Sequence, residues 1–152
     1  MVGEILRLLA NEFRFVVVDT SPGLDEHTLA AIDEATDLVL VCSMDVPNVR
    51  GLRKEIAALD AMKIHGPKRH FVLNRADSRV GLDVDDVVAT VGMPVDVELP
   101  SSRSVPLALN QGTPLIESDP RSPIARQFMG LVERFVEVPD DGGGLFRKRR
   151  KR

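Results

Sequence analysis

The sequence predicts an α/β domain in which a mostly parallel sheet of about four strands is flanked by helices. Short apolar runs alternate along the chain with stretches of helical periodicity, an order typical of strands joined by helical crossovers. The runs at 15–18 (FVVV) and 38–41 (LVLV) contain no polar residue, which indicates strands covered on both faces. The chain has 152 residues, 43% of them hydrophobic, and can bury the core of one domain.

The first predicted strand carries the most informative turn in the sequence. Isoleucine and leucine recur at helical spacing over residues 4–12, which predicts a helix that leads into a buried strand at 14–19. That strand ends at Asp19, and the turn TSPG follows it. A carboxylate in this position would stand at the carboxyl edge of a parallel sheet, where open α/β folds bind ligands.

The alternation of strands and helices continues to the C-terminal region. Pro47 is expected in the first turn of its helix, because proline is favoured there. Residues 1–138 are therefore predicted to form one domain, and 139–152 a flexible glycine-rich linker with a polybasic tail. After 14–19, the predicted elements are a helix at 25–35, a strand at 37–43, a helix at 47–62, a strand at 69–74, a helix at 84–91, a strand at 94–100, a helical turn at 104–112 and an amphipathic helix at 122–138.

The composition excludes several classes of function. Aromatic residues make up only 4% of the chain, with no Trp or Tyr, which argues against stacking platforms for single-stranded nucleic acid. A lone cysteine, Cys42, cannot form a disulfide framework and is expected to be a small buried hydrophobe in a reducing compartment. No apolar run reaches the roughly 20 residues needed to span a bilayer, so a cytoplasmic location is expected. The three histidines have no metal-ligand spacing, and no role is assigned to them.

The charge of the chain is unevenly distributed. The sequence RKRRKR (147–152) contributes +6 to a net charge of −3, so the other residues together carry −9. Such a tail could bind an anionic membrane, could bind nucleic acid, or could simply be a solvated terminus. Nucleic acid is the less favoured polyanion, because the acidic body of the protein would repel it.

Three segments, in this order, resemble the MinD/ParA group of P-loop ATPases. The first is FVVVDTSPGLDEHTLAAIDEATDLVLVCSMDVPNVRGLR, which is similar to the part of that group in which a strand ends in Asp before a Pro-Gly turn. The second and third are VLNRADSRVGL and VELPSSRSVPLALNQGTPL, which resemble its adenine-side Asn and the Pro-containing loop that follows. Within the group, the second segment and the basic tail look most like the CpaE/TadZ type of pilus-assembly localisation ATPase.

The resemblance implies a nucleotide site and assigns residues to it. Asp19 would hold Mg²⁺, usually through water, and the N–H group of Gly23 would sense the γ-phosphate of ATP. Two alternatives remain open: Asp19 could instead cap the following helix, and Asn74 could stabilise a turn. The residues implied to bind the cofactor are Asp19, Thr20, Gly23, Asn74, Arg75, Pro100, Ser101 and Ser102.

Two further interpretations of the motifs stay open. The string at 74–77 (NRAD) also resembles the guanine-reading Asn-Lys-x-Asp of GTPases, with Arg in the place of Lys. The loop LPSSRSVP (99–106) is similar to the adenine-side loop of the ATPases instead, which favours ATP. Asp45 and Arg50 occupy positions where related ATPases make dimer or partner contacts, although a solvated loop is the simpler interpretation.

No phosphate-binding loop is present in the sequence. Neither G-x-x-x-x-G-K-[ST] nor the deviant form with an extra lysine occurs, so no residue of this chain is predicted to be catalytic. The resemblance implies an incomplete P-loop NTPase domain of Rossmann-like type, which lacks the central strand next to the one at 14–19. Two strand edges would then be left unpaired, which predicts aggregation or low solubility of the isolated chain.

In the complete protein, the resemblance implies a homodimer that binds ATP and Mg²⁺ and positions a pilus or secretion machine. Such a protein would work in the cytoplasm, at the inner membrane or at a cell pole. The alternative is a non-catalytic scaffold of the same fold, which would bind partners or a membrane.

Overall fold

The computed structural model describes residues 1–77 and 81–136, and these contain a parallel sheet with the strand order β1-β2-β3. β1 pairs with β2 along its whole length, from Asp37 beside Lys68 to Ser43 beside Asn74. β3 pairs with the carboxyl half of β2. The α/β class with a parallel sheet flanked by helices is therefore confirmed. The strands are β1 (Asp37–Ser43), β2 (Lys68–Asn74) and β3 (Val97–Leu99).

Four of the helices in the described residues begin at a capping side chain. Asp25, Asp45, Asp83 and Ser122 each accept a hydrogen bond from a backbone N–H of the first helical turn, which satisfies a donor that the helix itself leaves open. Proline occupies the first turn of α3, as the sequence predicts, and of α7. The helices are α1 (Val2–Glu12), α2 (Glu26–Glu34), α3 (Val46–Ala61), α4 (Val84–Val91), α5 (Ser104–Asn110), α6 (Leu115–Ser118) and α7 (Pro123–Val132).

The two faces of the sheet belong to two apolar clusters. Alternate residues of β2 point to opposite faces, so Phe71 and Leu73 join one cluster while Val72 joins the other. The first cluster includes residues of α3 and α4, and the second includes Ile124 of α7. Cys42 belongs to the first cluster and is 3% exposed, which confirms that it is a buried hydrophobe.

The strand predicted at 14–19 is wrong as a buried strand of the sheet. Residues 13–20 form no regular secondary structure, and all of them are exposed. Val17 is 93% exposed and Phe15 is 50% exposed. In the described part of the chain, no strand pairs with this segment, and a strand needs a hydrogen-bonded neighbour to be stable. The apolar run therefore has the composition of a buried strand, but the described part of the chain does not bury it.

Three smaller corrections concern the C-terminal half. The fourth predicted strand is shorter than 94–100, because β3 covers only Val97–Leu99. The described sheet has three strands rather than about four, because residues 14–19 do not join it. The terminal helix α7 ends at Val132 and not at 138. The predicted linker and tail at 139–152 lie outside the described residues.

Two side-chain contacts hold the amino-terminal ends of the strands. Asp96 accepts a hydrogen bond from the buried N–H of Phe71 at 2.8 Å, and its other carboxylate oxygen lies 2.7 Å from the guanidinium of Arg134. His70 is 1% exposed, and its Nε2 atom lies 2.8 Å from a carboxylate oxygen of Asp37. The structure thus gives His70 a structural contact, although the sequence suggested no role for it.

Candidate functional site

Backbone hydrogen bonds connect the loops that follow the three strands at the carboxyl edge of the sheet. The N–H of Met44, after β1, donates to the carbonyl of Asn74 at 3.1 Å. The N–H of Ala76, after β2, donates to the carbonyl of Leu99 at 3.0 Å. Because each loop bonds to the neighbouring strand, the residues that follow β1, β2 and β3 are held in one group at this edge.

A side-chain hydrogen bond joins the loop after β2 to the loop after β3. The carboxylate of Asp77 accepts the N–H of Ser101 at 2.6 Å. This hydrogen bond holds the pKa of Asp77 below its usual range, because it stabilises the ionised carboxylate. The NRAD segment and the Pro100–Ser102 loop are therefore brought together. The sequence indicated both loops as parts of the site, but no sequence pattern predicted the hydrogen bond between them.

Asn74, the residue predicted to bind the base, lies at the carboxyl edge of the sheet. Asn74 is the last residue of β2, is partly buried, and makes no side-chain hydrogen bond to any residue in the described part of the chain. An amide offers both a donor and an acceptor, which is what the edge of a base requires. Arg75 follows with a left-handed backbone (φ 57°), a conformation that is uncommon for a residue with a side chain. The backbone carbonyl of Asn74 accepts the Met44 N–H, which supports the turn.

The second predicted group, around Asp19, lies in the exposed segment outside the sheet. Asp19 and Thr20 are exposed, and the carboxylate of Asp19 makes no hydrogen bond or ion pair with any other described residue. Gly23 has a positive φ of 93°, and a Cβ atom at this position would meet nothing within 4 Å. Glycine is thus favoured here by backbone conformation rather than by a crowded surrounding.

The structure shows which aspartates cap α2 and α3. Asp19 does not cap the helix that follows, because the N-cap of α2 is Asp25, which accepts the Thr28 N–H at 2.7 Å. Asp45 is the N-cap of α3 and accepts two hydrogen bonds from Asn48, at 3.0 and 2.7 Å. These bonds, and secondarily the charge of Arg75, lower the pKa of Asp45. Asp followed by Val-Pro at a helix start is a capping signal from which the role of Asp45 could have been predicted.

The described residues contain neither a cluster of metal-ligating side chains nor a helix that could span a membrane. Within 1–77 and 81–136, no three side chains of His, Cys, Asp or Glu come together in a way that could hold a metal ion. Any Mg²⁺ held at Asp19 would therefore need its remaining ligands from water and from the nucleotide phosphates. None of the helices in the same ranges has the length and apolar character required to cross a membrane.

Known proteins resemble the chain in both sequence and structure. No protein-family model matches it. It is 27% identical over 148 residues to a septum site-determining MinD-type protein of Emiliania huxleyi, covering 90% of this chain and 54% of that protein. It is 21% identical over 154 residues to the septum site-determining protein MinD of Helicobacter pylori, covering 90% of this chain and 56% of that protein.

Solved structures superpose on most of the chain. A ParA-family ATPase of Chlorobium tepidum matches with a TM-score of 0.76 at 16% identity, over 85% of this chain and 55% of that one. The MinC:MinD complex of Aquifex aeolicus matches with a TM-score of 0.76 at 18% identity, over 97% of this chain and 60% of that one. MinD of Pyrococcus horikoshii with Mg-ADP matches with a TM-score of 0.73 at 19% identity, over 88% of this chain and 54% of that one.

The chain has part of the MinD/ParA-type P-loop ATPase fold. It spans about half the length of the curated relatives it matches. The residues assigned to the predicted site therefore lie in two separate groups. The structure joins the loops that carry residues 74–77 and 100–102, whereas Asp19, Thr20 and Gly23 remain in a segment that does not pair with the sheet.

Proposed function

We propose that this chain is the C-terminal part of a MinD/ParA-type ATPase that positions a pilus or secretion assembly of the CpaE/TadZ type. The bond from Ser101 N–H to Asp77 carries the proposal, because it holds together the two loops assigned to the adenine side. The similarity to MinD and ParA proteins in sequence and fold supports the ATPase assignment. The wording of the VLNRADSRVGL segment and the basic tail support the pilus branch.

Each assigned group has a defined task in the complete protein. Asn74, Arg75 and the Pro100–Ser102 loop hold the adenine, and Asp19 positions the Mg²⁺ that neutralises phosphate charge. Thr20 and Gly23 lie near the γ-phosphate, so that hydrolysis releases their segment. A second copy of the protein completes a homodimer when ATP is bound, and hydrolysis resets the localisation state. The protein acts in the cytoplasm and is held at the inner membrane or a cell pole by Arg147–Arg152.

The chain by itself is proposed to be inactive. Its sequence contains no loop that can cradle phosphates, and it has no lysine in such a loop. We therefore expect no ATP turnover by the pure 152-residue protein above that of buffer, and no calorimetric signal with ATP and Mg²⁺. Measured turnover that copurifies with the protein and disappears in Asp19→Ala would contradict the proposal.

Two experiments test the positive side of the proposal. Reading the coding DNA immediately upstream should reveal an in-frame strand followed by a glycine-rich Lys-Ser/Thr loop. In the longer protein that includes this loop, Asn74→Ala should weaken ATP binding by about fivefold to tenfold, the value of one hydrogen bond of about 1 kcal/mol. The matched control Asn110→Ala, an exposed asparagine at the end of α5, should bind ATP like the wild type.

ATP is favoured over GTP by the position of Asp77. One oxygen of its carboxylate already accepts the Ser101 N–H, so the residue that would read guanine in a GTPase serves to hold a loop. Competition between the two nucleotides in the longer protein should show preference for ATP. A preference for GTP would replace the adenine assignment with the guanine one.

A non-catalytic scaffold is the second candidate function. It is favoured by one observation, the exposed apolar segment at 15–18, which offers a surface for another protein. The absence of an in-frame phosphate-binding loop in the upstream DNA would support the scaffold and contradict the ATPase fragment.

A further inference from the structure

The connection between α3 and β2 carries exposed basic residues at the amino-terminal end of the sheet. Lys63, His65 and Lys68 are all exposed, and Met62, which precedes them, is 45% exposed. Neither lysine forms an ion pair with another residue in the described part of the chain. Residues 62–68 are named the basic loop. It leads into β2, the middle strand of the described sheet, and not into the strand at its free edge.

The carboxylates nearest to the basic loop are already paired with basic side chains. The pairs are Asp60 with Arg69 (2.8 Å), Asp37 with His70 (2.8 Å) and Asp96 with Arg134 (2.7 Å). The exposed acids Asp33 and Glu133 lie on α2 and just after α7, outside the loop. The basic loop therefore presents positive charge to the solvent, although the body of the chain is acidic.

Lys63 has a backbone conformation that favours glycine. Its φ is 59°, and it directly follows Met62, the C-cap of α3. The N–H of Lys63 donates to the carbonyl of Asp60 at 3.0 Å, and the N–H of Ile64 donates to the carbonyl of Leu59 at 3.0 Å. This pair of bonds is the helix ending at which glycine is usual, because glycine has no Cβ. A lysine at this position indicates a role for its side chain rather than for its backbone.

The chain after α7 reaches the same end of the sheet. Arg134 contacts Asp96, which precedes β3, and the ring of Phe135 lies 4.8 Å from the ring of His70, near the start of β2. The polybasic segment Arg147–Arg152 follows in the sequence. The described chain therefore leads towards the tail from the end of the sheet that carries the basic loop.

We propose that the basic loop is a second contact of this protein with an anionic membrane, in which Lys63 and Lys68 face the lipid headgroups and Met62 enters the interface. The inference rests on the proposed function, because the tail supplies most of the binding. Each basic residue near an anionic surface strengthens binding about fivefold, so two lysines add to the six basic residues of the tail and do not replace them.

This contact defines an orientation on the membrane. The amino-terminal end of the sheet faces the lipid, and the carboxyl edge with the 74–77 and 100–102 loops faces away from it. A lipid surface is favoured over nucleic acid, because an exposed methionine gains from an apolar interface and gains nothing from a phosphate backbone. The acidic body also repels a duplex.

The first test is flotation of the 152-residue protein with vesicles of equal parts phosphatidylglycerol and phosphatidylcholine, since aggregates without lipid do not float. The salt concentration is about 0.1 M, which screens charges beyond about 10 Å. Lys63→Gln with Lys68→Gln should weaken binding about tenfold to thirtyfold. Arg121→Gln with Arg126→Gln removes the same charge from the other end of α7 and should weaken it less than about threefold. A wild type that does not float, or equal binding by the two double variants, would overturn the proposal.

The second test separates the charge of Lys63 from its backbone. Lys63→Gly should weaken vesicle binding about fivefold, while its urea midpoint stays equal to that of the wild type or rises. Lys63→Arg with Lys68→Arg keeps both charges and should bind like the wild type. Wild-type vesicle binding by Lys63→Gly would show that its charge does not contact lipid and would overturn the proposal.

The third test measures the orientation. An environment-sensitive fluorophore on Met62→Cys should shift to shorter wavelength when anionic vesicles are added, whereas the same label on Leu109→Cys, in α5, should not. The native Cys42 should not take the label, because it is 3% exposed and burial raises its pKa to about 11. A shift at Leu109→Cys, or none at Met62→Cys, would contradict the orientation and overturn the proposal.

The outcomes separate this inference from the proposed function. Unchanged flotation of the Lys63→Gln, Lys68→Gln variant, together with weaker binding to duplex DNA, would assign the loop to nucleic acid and overturn the membrane contact. The upstream DNA and the effect of Asn74→Ala would still decide whether the ATPase assignment is correct, because neither depends on lipid.

Discussion

Substitution of Asp96 is expected to destabilise the fold more than substitution of its ion-pair partner. Asp96 has two tasks: one carboxylate oxygen accepts the N–H of Phe71 at 2.8 Å, and the other contacts Arg134 at 2.7 Å. Phe71 is fully buried at 0% exposure, so its N–H loses its acceptor when the carboxylate is removed. Leaving a buried donor without an acceptor costs about 1–3 kcal/mol.

The contribution of Arg134 is smaller because its side chain is 37% exposed. A partly exposed ion pair is worth about 0.2–1 kcal/mol. We therefore expect Asp96→Ala to lower the free energy of unfolding by about 2 kcal/mol and Arg134→Ala by less than about 1 kcal/mol. The double variant should be only slightly less stable than Asp96→Ala, because the ion pair is already lost in that single variant and only the 3.1 Å hydrogen bond from Arg134 to the Asp96 carbonyl remains to be removed.

Urea unfolding followed by far-ultraviolet circular dichroism measures these differences, since the chain has no Trp or Tyr to serve as a fluorescent probe. With a slope of about 2 kcal/mol per molar urea, Asp96→Ala should shift the midpoint by roughly 1 M. All variants are compared at one protein concentration, so that self-association contributes equally. Asp33→Ala, at an exposed aspartate of α2, is the control and should stay within about 0.5 kcal/mol of the wild type. Equal effects of Asp96→Ala and Arg134→Ala would refute the reasoning.

Three further predictions follow from single features of the chain. Gly92→Ala should lower the free energy of unfolding by about 1 kcal/mol, because Gly92 follows α4 with a positive φ of 82°. Gly51→Ala, inside α3, should raise it by about 0.5–1 kcal/mol, because a Cβ atom there meets nothing within 4 Å. Urea midpoints of the two variants measure both changes. The hydrogen bond from His70 lowers the pKa of Asp37. The ionised Asp37 therefore stabilises the fold at pH values above the ordinary pKa of 3.8, and this stabilisation is lost as the pH falls below that value. Asp37→Asn should therefore reduce the loss of stability measured by acid titration below that pH, and an unchanged titration would exclude this contribution. Removal of Arg147–Arg152 should abolish flotation with anionic vesicles at low salt, and equal flotation of both proteins would exclude the lipid.

Local signals in the sequence predicted most of the helices and strands, because the forces that start and end them are local. Pro47 in the first turn of α3 is an example that the structure confirms. The apolar runs at 37–43 and 69–74 were also placed correctly, as β1 and β2. For the candidate site, the sequence supplied the residues of the 74–77 and 100–102 loops. The bond from Ser101 to Asp77 was not predictable, because it depends on two loops 24 residues apart in the chain.

The sequence by itself determined the α/β class, the parallel order of apolar strands and the separation of an acidic body from a basic tail, since these depend on composition and periodicity. Only the tertiary structure decided which strands have neighbours. Residues 15–18 show the difference, because their sequence is that of a buried strand while all four side chains are exposed. A pattern of apolar residues records a need for burial, but burial requires a second surface, and that surface is supplied by residues elsewhere in the chain or in another molecule.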